Sequence, residues 1–274
     1  MNIIIYDIWR RVNKLNRNYI CCFVGGTGSG KSWSAISLAK TLDPTFNLDR
    51  IVFTPEQFLN LLNTTTLPKG AVIIWEEGGV SYSARDFWSI SNKLIGYVLQ
   101  SFRYQNLILI FTLPSLKFLD VIARRLMHGY FETQTIHYKE GLCSCKHFRM
   151  QPNAKTGDVY YKYPRVKGVE GTKVITRLEF RKPPDDFIKS YEDKKYLECE
   201  KLKTEAEKEI LTINEVKLQK GADVGAMIED AKTRKADFMT EYNQRKFYDL
   251  NKIMDAYKVG QLRAKNIRTA LEKV

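Results

Sequence analysis

Residues 25 to 32 read Gly25-Gly26-Thr27-Gly28-Ser29-Gly30-Lys31-Ser32. Glycines at this density let successive backbone N–H groups turn inward around an anion and leave room for its oxygens against the main chain. The lysine and the hydroxyl that follow complete the set. Lys31 reaches β- and γ-phosphates, and the Ser32 hydroxyl suits a place on Mg²⁺. An apolar run, Tyr19 to Val24, precedes the loop, and a helical pattern from Ser32 to Leu42 follows it. That order gives strand, loop and helix, with the helix N-terminus aimed at the anion. The nucleotide-binding set is therefore Gly25 to Ser32 with Trp33, and the cofactors it calls for are ATP and Mg²⁺.

A second element has the matching chemistry. Ala71 to Trp75 is an apolar run ending in Glu76-Glu77, with Gly78-Gly79 behind it. Two acids at a strand end put one carboxylate near the metal's water shell and the next beside the γ-phosphate. Glu76 then joins Ser32 as a metal ligand, and Glu77 orients and deprotonates the attacking water. The metal position in such strands is usually Asp, and here it is one methylene longer. Thr112 ends another apolar strand, so its hydroxyl is placed to sense the γ-phosphate or the nucleophilic water. Arg103, Arg124 and Arg125 are candidates for a finger reaching a neighbouring subunit's nucleotide.

The elements that must position these groups alternate. Strands are expected at Tyr19 to Val24, Arg50 to Thr54, Ala71 to Trp75 and Leu107 to Thr112. Helices are expected at Ser32 to Leu42, Pro55 to Leu62, Asp86 to Arg103 and Ser115 to Arg125. Such alternation implies right-handed crossovers and a mostly parallel sheet, an α/β class. After Met127 the pattern turns to strands at Tyr130 to Tyr138, Cys145 to Met150, Val159 to Tyr163 and Thr172 to Phe180. These form a β-rich extension over 137–184. Pro183-Pro184 marks a boundary, so residues 1–184 are read as the ATPase domain and 185–274 as a helical region. The stretch from Asp185 to Lys220 is dense in Glu and Lys and reads as a solvated helix or helical hairpin, broken at Gly221 to Gly225, with almost no β signal beyond.

Charge narrows the partners. The chain has 274 residues and a formal charge of +13. Residues 1–184 hold 25 Lys and Arg against 13 acids, and within them residues 137–184 hold 11 against 4. The remaining residues, 185–274, are nearly balanced at 19 against 18. A basic field confined to the body favours a polyanion such as nucleic acid. The longest apolar runs fall short of the roughly 20 residues that span a bilayer. The apolar start, Met1 to Ile5, meets Asp7, Arg10 and Arg11 at once and is not read as a secretory signal. Five cysteines do not make a disulfide framework, which points to a reducing cytoplasm.

With these residues in place, the chain resembles the HerA/FtsK superfamily of nucleic-acid motors, and within it the zonular-occludens-toxin-like ATPases. The carriers are Val24-Gly25-Gly26-Thr27-Gly28-Ser29-Gly30-Lys31-Ser32-Trp33-Ser34-Ala35, Ile73-Ile74-Trp75-Glu76-Glu77, and the segment from Arg103 through Thr112-Leu113-Pro114-Ser115. The stretch Asp120-Val121-Ile122-Ala123-Arg124-Arg125 is also similar. Leu113 stands where that family carries glutamine. The likeness covers residues 1 to about 135. It implies a P-loop sheet of RecA/FtsK type in a homo-oligomer, a hexameric ring among the forms, that drives DNA translocation, packaging or transfer. A nucleotide-gated DNA-binding regulator or replication initiator is the other reading.

Three further features carry paired readings. Cys143, Cys145 and His147, with His137 across a hairpin, either hold zinc or form a reduced strand. Lys155, Lys162, Arg165 and Lys167 interleave with Tyr160, Tyr161 and Tyr163. That pattern fits either a nucleic-acid strand or a hairpin with one set of tyrosines in a core. Residues 250–271 form either a helix-turn-helix, turning at Lys258-Val259-Gly260 and presenting Arg263, Lys265 and Arg268, or a plain helical hairpin.

Overall fold

Ile4, Ile8 and Val12 recur at four-residue spacing and are buried along one face of α1 (Ile3–Asn13). The Asn2 side chain starts this helix by accepting from the Ile4 N–H at 3.0 Å. The computed structural model describes residues 2–76, 105–119, 121–168, 171–242 and 245–273. The chain divides into two compact units, Met1–Lys203 and Thr204–Val274.

In the first unit, β1 (Tyr19–Val24) is buried at every position. Tyr19, Cys21 and Phe23 enter one apolar cluster, while Ile20, Cys22 and Val24 enter another, so both faces of the sheet are covered. Next come α2 (Lys31–Leu42), β2 (Ile51–Val52), α3 (Pro55–Thr64), β3 (Val72–Glu76) and β4 (Ile108–Leu113). The Thr54 hydroxyl caps α3, accepting from the Gln57 N–H at 3.2 Å ahead of proline in the first turn. β2 keeps two residues of the expected five: Arg50 closes the 3₁₀ turn Leu48–Arg50 at its front, and Thr54 caps α3 behind it. The helix expected over Ser115 to Arg125 is also shorter. The Ser115 hydroxyl accepts from the Lys117 N–H and starts a 3₁₀ turn at Leu116–Phe118, so α4 covers only Val121–Leu126. The helix expected at Asp86 to Arg103 lies outside the described residues.

The β-rich part comprises β5 (Gly129–His137), β6 (Leu142–Pro152), β7 (Val159–Lys162), β8 (Arg165–Gly168), β9 (Gly171–Val174) and β10 (Arg177–Arg181). The main sheet runs β10-β6-β5-β1-β4-β3-β2, and β7 also pairs with β6. The five strands from β5 to β2 are mutually parallel, and β6, β7 and β10 add antiparallel pairings. This is a mixed α/β unit with a mostly parallel core sheet. The single strand expected from Thr172 to Phe180 is two. β9 pairs with β8 in a separate ribbon, and the Ile175 N–H bonds to the Pro164 carbonyl before β10 joins β6.

α5 (Asp185–Thr233) is one helix of 49 residues. Its head belongs to the first unit and is not purely solvated: Ile188 and Tyr191 are buried, with Phe187 packed beside them. Gly221 and Gly225 do not break it, since an interior glycine costs a helix only about 1 kcal/mol.

The second unit takes the tail of α5, then α6 (Lys235–Phe238), β11 (Met239–Tyr242), β12 (Arg245–Tyr248), α7 (Leu250–Tyr257) and α8 (Gln261–Glu272). The β11–β12 ribbon is a strand pair where almost no β signal was expected. Phe238, Ile253, Val259, Ala264, Ile267 and Leu271 form the core of this unit. α7 ends at Lys258, whose φ of 50° is left-handed, and Gly260 opens α8. The turn thus falls at Lys258-Val259-Gly260, as the sequence predicts.

Candidate functional site

The glycine loop leaves β1 at the sheet's C-terminal edge and re-enters the fold as α2. Gly25 is held by its N–H to the Leu113 carbonyl at 3.3 Å. A Cβ there would collide with the Thr133 hydroxyl, which donates to the Val24 carbonyl at 3.2 Å and lies 2.7 Å from Ser29 Oγ. Gly30 has a φ of 87°, and a Cβ would come within 2.9 Å of Cys143 Sγ. Only glycine meets both demands. Lys31 and Ser32 open α2, and the Lys31 ammonium folds back to the Gly26 carbonyl at 2.7 Å, over the loop's own backbone.

Parallel register then brings in the partner strands. Thr112 of β4 lies level with Phe23 of β1 and with Glu76 of β3. β4 separates the loop strand from the Glu76 strand, so the carboxylate reaches Ser32 across it. Ser32 Oγ donates to Glu76 Oε1 at 2.6 Å, and Thr112 Oγ1 donates to Oε2 at 2.7 Å. Glu76 is 2% exposed and Thr112 1%. A buried carboxylate requires donors, and two more come from α5. Tyr191 OH donates to Oε1 at 2.8 Å and Lys195 Nζ at 2.7 Å. Burial, and then the charge of Glu76, hold the Tyr191 phenol far above its usual titration range, so it remains a donor.

Ser32 and Glu76, the two residues read from the sequence as metal ligands, lie within hydrogen-bond distance of each other. Thr112 reaches the same spot, but its hydroxyl engages Glu76. Glu77 and Arg103 lie outside the described residues. Arg124 and Arg125 precede β5, whose Gly129 is level with Cys21 near the start of β1. They therefore sit toward the sheet edge opposite the loop, and Arg125 Nε donates to the Gly157 carbonyl at 2.9 Å. Within one chain they do not join Lys31 and Glu76.

Tyr191 and Lys195 were missed by the sequence reading. The available signal was the helical series Phe187, Ile188, Tyr191, Lys195 and Glu198, which recurs on one face. Polar residues at its buried positions masked it. Lys194 donates to the Leu48 and Ile51 carbonyls at 2.7 and 2.8 Å, and Gln57 donates to Glu198 at 2.7 Å, fixing this head against β2 and α3.

A cleft opens beside the first turn of α2, lined by Trp33, Ile136, Tyr138, Leu142, Phe180 and Lys182 among others. The Lys182 ammonium lies 5.1 Å from the centre of the Trp33 ring. Cys143 lines this cleft, and its thiol is held below the usual range by its hydrogen bond with Cys145, whose Sγ is 3.9 Å away. The zinc set does not assemble. His137 is level with Leu142, and its neighbour Ile136 is the residue level with Cys143, so alternation turns His137 to the other face. His147 stacks on Phe131 with centroids 4.3 Å apart, and burial lowers it to about 4. Among the described residues no group of three or more ligating side chains comes together.

Lys155, Lys162, Arg165 and Lys167 are all exposed, as are Tyr160, Tyr161 and Tyr163. Tyr161 packs edge-on against Tyr130 at 5.6 Å, and Tyr163 lies 4.6 Å from Phe148. These tyrosines thus form a surface aromatic cluster rather than a closed core. On α8 the packed face is Ala264, Ile267 and Leu271. Arg263, Lys265 and Arg268 lie off it, with Arg268 3.3 Å from Glu272.

No protein-family model matches this chain, and no curated protein matches it. Among solved structures it is similar to the N-terminal domain of zonular occludens toxin from Neisseria meningitidis. The identity is 15% and the TM-score 0.33, over 57% of this chain and 100% of that one. Among the described residues no helix is long and apolar enough to cross a membrane.

Proposed function

We propose that this chain binds ATP with Mg²⁺ and hydrolyses it, as a nucleic-acid motor of HerA/FtsK type that translocates, packages or transfers DNA as a homo-oligomer. The nucleotide reading rests on one observation: Ser32 Oγ and Glu76 Oε1 lie 2.6 Å apart at the mouth of a glycine loop that carries Lys31. Two hard oxygen donors side by side fit Mg²⁺, and these two residues would hold it. When bound, the metal would neutralise charge on the β- and γ-phosphate oxygens.

The chain's own residues supply the rest. Backbone N–H groups from Gly25 to Ser32 bind the phosphates, and Lys31 turns from the Gly26 carbonyl to meet them. The base enters the cleft beside Trp33. Glu77 takes the proton from the attacking water, and Thr112 fixes the Glu76 carboxylate. Arg124 and Arg125, being remote from their own loop, suit a role in trans on a neighbour's nucleotide, with Arg103 as the third candidate. The exposed residues Lys155, Lys162, Arg165 and Lys167 pair with phosphates, while the adjoining tyrosines offer stacking surface.

ATP turnover measured with and without duplex DNA, beside the mass in solution, tests this reading. Stimulation by DNA of any sequence, from an oligomer, is expected. Absence of ATP turnover under all conditions overturns it. The α7–α8 turn favours a second reading, a nucleotide-gated DNA-binding regulator. Binding to one sequence without stimulated turnover would support that instead.

A further inference from the structure

Building on the nucleotide reading, we propose that Lys195 is a positioning residue that occupies the divalent cation's place, and that a metal must displace it to load the site. Three donors converge on Glu76 Oε1: Ser32 Oγ at 2.6 Å, Lys195 Nζ at 2.7 Å and Tyr191 OH at 2.8 Å. A carboxylate oxygen offers about two lone-pair directions, so this atom has no direction left for a metal. For a metal to sit between this oxygen and Ser32 Oγ, one donor must leave. Ser32 is itself the other metal ligand. Tyr191 is 2% exposed and fixed in the core. Lys195 is the cationic member, and a second cation at bonding distance from the same oxygen repels it.

Lys195 can also move at small cost. Its side chain is 36% exposed and sits on a flexible four-carbon stem, whereas the Glu76 side chain is 3% exposed. The helix need not undock, because Lys194 and Glu198 hold it through Leu48, Ile51 and Gln57. Without metal the ammonium neutralises a buried carboxylate and keeps it aimed at Ser32. With metal it swings outward. The arrangement rejects a bare divalent ion and admits one that arrives with a polyphosphate, whose own ligands help displace the lysine.

The test uses the full-length chain and Mn²⁺ alone, followed by paramagnetic resonance without nucleotide. Lys195→Met should bind Mn²⁺ up to about fivefold more tightly than wild type, the upper end of what an ion pair with one exposed partner carries. Lys195→Arg, which keeps the charge, should behave as wild type. Equal or weaker Mn²⁺ binding by Lys195→Met overturns the proposal. A second measurement needs no variant. Acylation of Lys195, followed by mass spectrometry on wild type, should rise as Mg²⁺ and ADP saturate the chain, and unchanged labelling also overturns the proposal. Failure of ADP to bind at all would instead refute the nucleotide reading, while the Mn²⁺ comparison still decides the role of Lys195.

Discussion

Thr112→Val separates two roles for the hydroxyl at the end of β4. The sequence reading aims it at the γ-phosphate or the attacking water, whereas the structure spends it on Glu76 Oε2 at 2.7 Å, with Thr112 only 1% exposed. Valine keeps the shape and the β-branch and removes this donor. A hydrogen bond to a charged group contributes about 1.5–3 kcal/mol, so the variant should lose about that much stability before any ligand is added. For a unit of this size each kcal/mol shifts Tm by about 2–4 °C, which predicts a fall of roughly 3–12 °C. Thr112→Ser, which retains the hydroxyl, should lose about 1 kcal/mol or less, the value of the missing methyl. Thermal and urea unfolding in metal-free buffer measure both. A loss below about 0.5 kcal/mol for valine, within the range of a neutral surface change, would refute the assignment and return the hydroxyl to the nucleotide.

Lys31→Ala should abolish nucleotide binding while the chain still folds without nucleotide, because the ammonium faces the phosphates; fluorescent-ADP titration checks the first and circular dichroism the second. Glu77→Gln should bind ATP and fail to turn it over, whereas Glu76→Gln should weaken the Mg²⁺ dependence; single-turnover assays across a Mg²⁺ series decide whether the roles are reversed. His128 is lowered to about 3 and His147 to about 4, both by burial, from an ordinary 6.5. Both are therefore neutral when folded, and unfolding lets them take up protons. The stability they confer is complete above about pH 6.5 and is lost as pH falls toward 4 and then 3, at up to about 1.4 kcal/mol per unit for each. His128→Gln should flatten the acid limb of a urea-midpoint series. Replacing Lys155, Lys162, Arg165 and Lys167 together by Gln should reduce the salt slope of DNA binding by up to about 3–4, at about 0.9 for each phosphate no longer neutralised; an unchanged slope would place the DNA elsewhere.

A shortened chain needs a different end from the one Pro183-Pro184 suggests. Ile188 and Tyr191 are buried, and the first unit runs to Lys203. A cut at 184 would strip Glu76 of two donors and expose the core that the head of α5 covers. A charge-dense segment reads as solvated when its buried positions are polar, because hydrophobic periodicity weighs residue type and not the partner each residue meets. Glu198 is such a position, with Lys194 and Lys195 half-buried beside it, and the three are satisfied by Leu48, Ile51, Glu76 and Gln57.

The sequence by itself determined the loop from Gly25 to Ser32, the apolar strands beside it, the acid at the end of β3 and the turn at Lys258-Val259-Gly260. These are local: a phosphate cradle needs contiguous backbone N–H groups, a buried parallel strand needs an unbroken apolar run, and a turn needs its own residues. Beyond Ser32, which the sequence already pairs with it as a metal ligand, tertiary structure alone decided what surrounds Glu76. Thr112 stands 36 positions after it, Tyr191 115 and Lys195 119 after. No spacing rule encodes those three meetings. They follow from β4 inserting between β1 and β3 and from α5 docking its head on that sheet edge, where a buried carboxylate must be satisfied by whatever donors packing delivers.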